Sequence, residues 1–281
     1  MLSYRHAFHA GNHADVLKHF VELQLLQYLN QKDKPYWMID THAGAGLYAL
    51  DQGYAVKNAE YLSGIARLMQ REDLPVALAE YVALVRGLNA DGELKIYPGS
   101  PWVAMQVLRP QDQLRLFELH PTDSKLLHEN FASAGRRVKI EAADGFAGLK
   151  ALLPPAPRRA LVLIDPPYEE KQDYQRVPAA LKDALKRFET GTYAVWYPLL
   201  QRHESQHFAE SLKRLHAKSW LNVSLTVNAP SADGFGMHGS GMFVFNPPWT
   251  LKATLQTVMP YLTKVLGQDA GASFTLESQE A

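Results

Sequence analysis

No cysteine occurs among the 281 residues. That absence excludes a disulfide framework, a thiolate zinc site, a cysteine-ligated iron–sulfur cluster and a cysteine nucleophile. Cysteine attack on pyrimidine C6, one route to modified nucleic acids, falls with them. Charge of one sign is missing as well, since 29 Lys and Arg balance 29 Asp and Glu. Any nucleic acid is therefore expected to be held by a local patch, with a modest salt dependence. Long apolar runs are also lacking. Residues 1–19 contain no apolar core of signal-peptide length, and runs such as Ala160 to Ile164 are far too short to cross a bilayer. A soluble, cytoplasmic protein with no membrane partner is expected. There are no repeats, and the only biased segment is a polar, glycine-containing tail, 267–281, expected to be flexible.

What is present reads as a globular α/β chain. Hydrophobic residues make up 47% of it, and the length fits one large domain with room for an insertion. Leu17, Val21, Leu25 and Tyr28 recur at helical spacing, so the first long element is expected to be an amphipathic helix. Strand-type runs follow at Tyr36 to Ile39, Leu114 to Leu119, Val138 to Ala142, Ala160 to Ile164, Tyr193 to Tyr197, Leu221 to Val227 and Met242 to Phe245. Helical patterns such as Val177, Leu181, Leu185 and Phe188 lie between several of them. That alternation predicts a mainly parallel sheet, and the last two runs, with no helix between them, predict a terminal antiparallel hairpin. In a doubly wound fold the acidic residue closing the second strand lies roughly 20 residues beyond the first glycine turn. Here Asp40 and Glu118 are much further apart, so residues 47–98 are assigned to an inserted helical subdomain. The main domain then comprises 1–46 and 99–266. Five basic against seven acidic residues give the insertion a net charge of −2, which disfavours it as a surface for gripping any nucleic acid.

Two motifs carry chemistry. In Asp40-Thr41-His42-Ala43-Gly44-Ala45-Gly46, glycines directly after a strand let the backbone approach a nucleotide-type ligand that a Cβ would push away. A tight turn alone would also explain them. In Asp165-Pro166-Pro167-Tyr168 an apolar strand runs straight into a stiff turn at its carboxyl end, where α/β sheets bind ligands. The two prolines remove two N–H donors. The Asp165 side chain and the Pro166 carbonyl then form a pair of acceptors suited to an exocyclic amino group. Holding those two N–H groups draws the nitrogen lone pair out of conjugation and makes it a nucleophile. Tyr168 is expected to offer a face on which a base stacks, worth roughly 1–3 kcal/mol.

As a pair, the motifs resemble the AdoMet-dependent amino-methyltransferases that act on adenine N6, whose catalytic loop reads Asp/Asn-Pro-Pro-aromatic. Two carboxylates fall where such a site needs them. Glu118 can accept both ribose hydroxyls of S-adenosyl-L-methionine, and Asp144, beside Gly145, can receive the adenine amino group. Ser100, before Pro101, is expected to cap a helix beside the cofactor. Asn246-Pro247-Pro248-Trp249 looks like a second copy of the catalytic loop but is expected only to stop the sheet. The histidine-rich run from Tyr4 to His19 suggests a metal at His9 and His13. It lacks an HExxH pattern or a carboxylate set, and no metal is expected. Tyr4, Arg5 and Lys18 suit contacts to RNA instead.

The whole set resembles the large-subunit ribosomal RNA adenine N6-methyltransferase J family, which modifies one adenosine of 23S rRNA in bacteria. The resemblance runs through the Tyr4-to-His19 opening, Asp40 to Gly46, the insertion, Gly99-Ser100-Pro101, Glu118, Ala143-Asp144-Gly145, Asp165 to Tyr168 and Asn246 to Trp249. It implies a Rossmann-like fold and AdoMet contacts from His19, His42, Ser100, Glu118, Asp144, Gly145 and Asp165, alongside the Gly44 and Gly46 turn. It further implies Asp165 as the catalytic acceptor, Tyr4 against the substrate, and naked or early-assembly 23S rRNA as the partner of a monomer. Methylation of DNA adenine or of a protein glutamine amide presents the same NH₂ geometry. A non-catalytic RNA-binding assembly factor is the alternative from another class.

Overall fold

The structure is a computed structural model that describes residues 6–51 and 58–280. Asn12 opens the first helix, α1 (His13–Asn30), its side chain accepting from the Ala14 and Asp15 amides. The chain then runs β1 (Trp37–Asp40), β2 (Leu47–Ala49), α2 (Ala66–Met69), α3 (Val76–Leu88), β3 (Ile96–Pro98) and α4 (Ser100–Val107). Next come β4 (Gln113–Phe117), α5 (Pro121–Asn130), β5 (Val138–Glu141), α6 (Gly145–Leu152), β6 (Ala160–Ile164) and α7 (Asp173–Arg187). The last part holds β7 (Thr192–Leu199), α8 (His203–Gln206), α9 (Phe208–Lys213), β8 (Trp220–Thr226), β9 (Gly239–Phe245), α10 (Trp249–Leu266) and β10 (Ser273–Gln279).

Eight strands form one sheet in the order β10-β8-β9-β7-β6-β1-β4-β5. Strands β5, β4, β1, β6 and β7 are parallel, while β9 is antiparallel to both β7 and β8. Alternate residues of each strand face opposite layers. Met38, Leu161 and Leu163 join the core beneath α1, α4 and α10, whereas Ile39, Val162 and Ile164 join the core beneath α6, α7 and α9. This is a doubly wound, Rossmann-like sheet. The chain leaves β1 toward β4 and β5 and returns to β6 on the other side of β1. That topological switch places a crevice at the carboxyl ends of β1, β4 and β6.

Three expectations change. The helix α1 is buried nearly all round from His13 to Leu26, because the sheet lies on one side and the 47–98 region on the other. The 47–98 region, expected as an inserted helical subdomain, also contains two strands and joins the main core. Strands β2 and β3 pair to close its base, and Ile65, Leu68, Tyr81 and Val85 share one continuous core with Leu17 and Phe20 of α1. The segment after Gly267 is not a loose tail over Ser273–Gln279. It pairs with β8 residue for residue, Ser273 opposite Thr226 through Gln279 opposite Trp220, and covers an edge the hairpin would leave open. Its polar alternation hid it as a strand, since an edge strand keeps one face in water.

Candidate active site

The carboxyl ends of β1, β4 and β6 open into a cavity of about 360 Å³. Of the residues singled out from the sequence, Lys18, His19, His42, Gly44, Ser100, Glu118, Asp144, Gly145 and Asp165 line it. Gly46, Pro166 and Tyr168 do not, and Tyr4 and Arg5 lie outside the described residues.

Asp165 is the first residue after β6, and its Oδ2 accepts from Lys18 Nζ at 2.5 Å. Lys18 Nζ also lies 3.0 Å from Asp15 Oδ1, one turn back on α1. Asp15 is tied down in turn, accepting at Oδ2 from the Gly11 amide and pairing with His6 Nε2, both at 2.9 Å. Burial pushes the Asp165 carboxyl up from the ordinary aspartate range, and the Lys18 ammonium opposes that push. Burial acts the same way on Asp15, but the charges of His6 and Lys18 outweigh it and hold that carboxyl well below its usual range.

The glycine turn is built from β1. Asp40 is fully buried and accepts from Ser100 Oγ at 2.6 Å and from the His42 amide at 3.1 Å, and burial pushes its carboxyl up to about 6. Ser100 therefore is not the helix cap expected of it. Gly99 holds the cap position, and the serine, one residue inside, locks α4 onto β1. Gly44 sits at φ +59°, and a Cβ there would meet the Tyr48 hydroxyl at 2.2 Å. Its amide donates to Glu118 Oε2 at 2.7 Å, while the His120 amide donates to Oε1 at the same distance. Burial raises the Glu118 carboxyl above its ordinary value. A Cβ on Gly145 would lie 2.1 Å from the Thr41 carbonyl, so only glycine lets α6 start against β1. Asp144 caps α6 through the Phe146 amide at 2.8 Å, and its other oxygen accepts from Arg176 at 2.5 Å.

The 47–98 region orients the cavity's wall from behind. Tyr81 and Tyr97 share a 2.7 Å hydroxyl contact, and Tyr97 meets His19 Nδ1 at 2.9 Å. His19 Nε2 is buried without a hydrogen-bond partner among the described residues, and burial takes the ring down to about 3, so it is neutral. His42 is neutral too, pulled down to about 4 by burial. The Thr41 hydroxyl donates to the Leu163 carbonyl at 3.1 Å, so at the 2.7 Å contact His42 Nδ1–H is the donor.

Glu22 lies one turn beyond Lys18 and His19, completely buried, with neither carboxyl oxygen hydrogen-bonded among the described residues. Burial first, and then the charges of Asp40 and Asp165, push its carboxyl well above the ordinary glutamate range. A raised folded value costs stability as the pH climbs above about 4.5, because the unfolded chain ionises there and the folded chain does not. Glu22→Gln removes that difference. We expect it to stabilise the protein by about 1–3 kcal/mol at pH 8 and to leave it nearly unchanged at pH 4, as urea unfolding at the two pH values will read. Equal effects at both would mean that Glu22 is ionised in the fold.

Several expected roles are not what the geometry offers. Tyr168 is only 1% exposed. It packs against Tyr174, Trp196 and Phe208, and its hydroxyl donates to the Trp196 carbonyl at 2.8 Å. The ring thus anchors the Asp165–Tyr168 loop to β7 from φ +53° and presents no face to the cavity. Lys18, 4% exposed and held by two carboxylates, is not placed to meet an RNA phosphate. Gly46 serves packing, since a Cβ there would meet the Phe131 ring at 2.7 Å. Asn246-Pro247-Pro248-Trp249 closes β9 at the far edge of the sheet, where Phe245 pairs with Tyr193 near the start of β7. His9 meets Glu60 at 3.0 Å and His13 is buried; among the described residues no group of three His, Asp or Glu could hold a metal.

His6, part of the histidine-rich run, lines the cavity and pairs with Asp15, nine positions on. Another cavity residue carries no signal in the sequence. Arg176 stands in helical register with Asp173, yet its partner Asp144 is remote in the chain. Its guanidinium also lies 4.7 Å over the Phe146 ring.

A family model described as "Ribosomal RNA large subunit methyltransferase D, RlmJ" matches residues 33–277. Ribosomal RNA large subunit methyltransferase J of Escherichia coli K12 is 49% identical over 262 residues, 93% of each chain. Its Haemophilus influenzae counterpart is 46% identical over 278 residues, 99% of this chain and 98% of that one. A solved structure from Legionella pneumophila, 38% identical, superposes with a TM-score of 0.89 over 96% of this chain and 98% of the other. Matches of that extent span nearly the whole chain, and this chain belongs to the RlmJ family of ribosomal RNA large subunit methyltransferases.

Proposed function

We propose that this chain methylates N6 of one adenosine in 23S rRNA, using S-adenosyl-L-methionine and direct transfer to a base turned out of its stack. The observation that carries the reading is the Asp165 carboxylate, which lines the cavity at the switch point beside the Gly44 turn, with Lys18 against its Oδ2. When bound, the cofactor supplies a methyl group on a sulfonium centre. The cavity's own groups fit it. Glu118 keeps spare lone pairs for ribose hydroxyls, Asp144 offers an acceptor to the adenine amino group, and His19 Nε2 is an unpartnered polar atom in the wall.

The protein's residues do the rest. Asp165, at the cavity wall, accepts one N–H of the target amino group, which draws on the nitrogen lone pair. Asp165 also takes the proton that the methylated nitrogen must shed, so it has to be ionised beforehand. Lys18 opposes the pull of burial toward the neutral form. Orientation in a shielded cavity supplies much of the rate.

The test is methyl transfer from radiolabelled AdoMet into unmodified 23S rRNA, with duplex DNA and ribosomal protein in parallel, followed by nucleoside analysis. Label in N6-methyladenosine from one RNA position is the expected result. Label in DNA or in a glutamine amide would overturn the substrate, and binding of AdoMet and RNA without transfer would favour an assembly factor.

A further inference from the structure

With Tyr168 buried, the catalytic loop itself offers no exposed ring to RNA, and the strand from which a base is turned out must be gripped by other groups. Three Phe, Tyr or Trp side chains are exposed among the described residues: Phe235, Trp249 and Phe274. Trp249 follows β9 at the edge opposite the cavity, and Phe274 lies on the outermost strand, with β8, β9 and β7 between it and β6. Phe235 is different. It belongs to the connection between β8 and β9, which turns at the same edge of the sheet as the Asp165 loop.

The base of that connection is firmly held. The Val227 amide donates to the His238 carbonyl at 2.9 Å, and the His238 amide donates to the Leu199 carbonyl, at the carboxyl end of β7, at 3.1 Å. Gln201 Nε2 donates to the Ser231 carbonyl, and the next residue, Arg202, donates to the Tyr168 carbonyl at 3.3 Å. One short chain of contacts therefore joins the loop to Asp165-Pro166-Pro167-Tyr168. At the tip, Asp233 Oδ1 accepts from Ser231 Oγ at 2.5 Å and from the Phe235 amide at 3.0 Å. Gly234 and Gly236 flank the ring at φ +80° and +90°, with open space where a Cβ would be. Packing does not demand those glycines; the left-handed turns that carry Phe235 outward do. The phenyl is left 79% exposed on an anchored loop, which does nothing for the fold and suits a ring that waits for a planar partner.

We infer that Phe235 stacks on a base of the substrate RNA next to the target adenosine, docking the Ser231–His238 loop as the target enters the cavity. This rests on the rRNA reading above. Stacking on an aromatic ring tolerates any base and costs little ordering when the loop is already set.

The experiment compares wild type, Phe235→Ala and Phe235→Trp in methyl transfer into an unmodified 23S rRNA transcript. Phe235→Ala should raise the KM for RNA roughly 5- to 100-fold, with a smaller change in kcat. Phe235→Trp should restore the KM, and AdoMet affinity by calorimetry should be the same in all three. In an RNA fragment carrying 2-aminopurine beside the methylated adenosine, fluorescence should fall on binding wild type and not on binding Phe235→Ala. An alanine variant with wild-type KM and quenching overturns the inference, as does a raised KM that tryptophan does not rescue. Shared melting curves separate a lost contact from a damaged fold. If wild type puts no label into RNA, the rRNA reading fails first and takes this inference with it.

Discussion

Asp165→Asn is expected to cut kcat for methyl transfer into ribosomal RNA by roughly a hundred- to ten-thousandfold. The change keeps the shape of the side chain and one carbonyl oxygen, but removes the charge proposed to receive the proton from the amino group. It also turns an acceptor into an NH₂ facing the Lys18 ammonium, which stands 2.5 Å away in the wild type. Cofactor binding should survive, because the Gly44 turn, Glu118 and Asp144 do not depend on Asp165 for their hydrogen bonds. Lys18 also retains Asp15 at 3.0 Å, so the ammonium is not stranded. Single-turnover kinetics with saturating RNA and cofactor, read alongside thermal melting, check this. A folded Asp165→Asn enzyme within about threefold of wild type would mean that another group takes the proton, and the catalytic assignment would fall.

Lys18→Met should produce the second large effect, and its pH dependence separates two roles. The methionine fills a similar volume without the charge. Burial raises the Asp165 carboxyl and Lys18 opposes it, so removing Lys18 lets that carboxyl rise further. Only the ionised form accepts the proton. The acid limb of the kcat profile should therefore move to higher pH, with the greatest loss at low pH and partial recovery as the pH is raised. A lysine whose task was to grip a phosphate behaves otherwise. Its loss would raise the KM for RNA alike at every pH and lower the salt dependence by about one counterion. Profiles of kcat and KM between pH 6 and 9, repeated at two salt concentrations, decide between them. An unshifted acid limb would rule out the tuning role.

Much of the cavity could be read in advance because it is made at strand ends. A strand leaves a period-two or continuous apolar signature, and the residue after its last apolar position stands at the sheet's edge. Asp40, Glu118 and Asp165 were each found that way, and the parallel order of β1, β4 and β6 brings the three together. The 47–98 region was legible as an interruption, since its helical stripes break the alternation. Its fusion with the core of α1 was not, because an apolar stripe states that it must be covered and not by what.

The errors have the same origin. An aromatic after Asp-Pro-Pro reads as a stacking face, yet Tyr168 turns inward because Tyr174, Trp196 and Phe208 leave a ring-sized place between α7, α9 and β7. A lysine in a basic, histidine-rich run reads as a phosphate ligand, yet α1 is buried on both sides and delivers Lys18 to a carboxylate 147 positions away. The last strand was missed because its polar side needs no core.

By itself, then, the sequence determined the α/β class, the two motifs and the carboxylates that end β1, β4 and β6, since these follow from local periodicity and the chemistry of single residues. Only the tertiary structure decided which side chains face the cavity, that Asp165 is held by Lys18, itself held by Asp15, and that Phe235 rather than Tyr168 stands out from the sheet. Those outcomes depend on which surfaces the chain brings together across long sequence separations, and burial and charge pairing are properties of that assembly rather than of any segment within it.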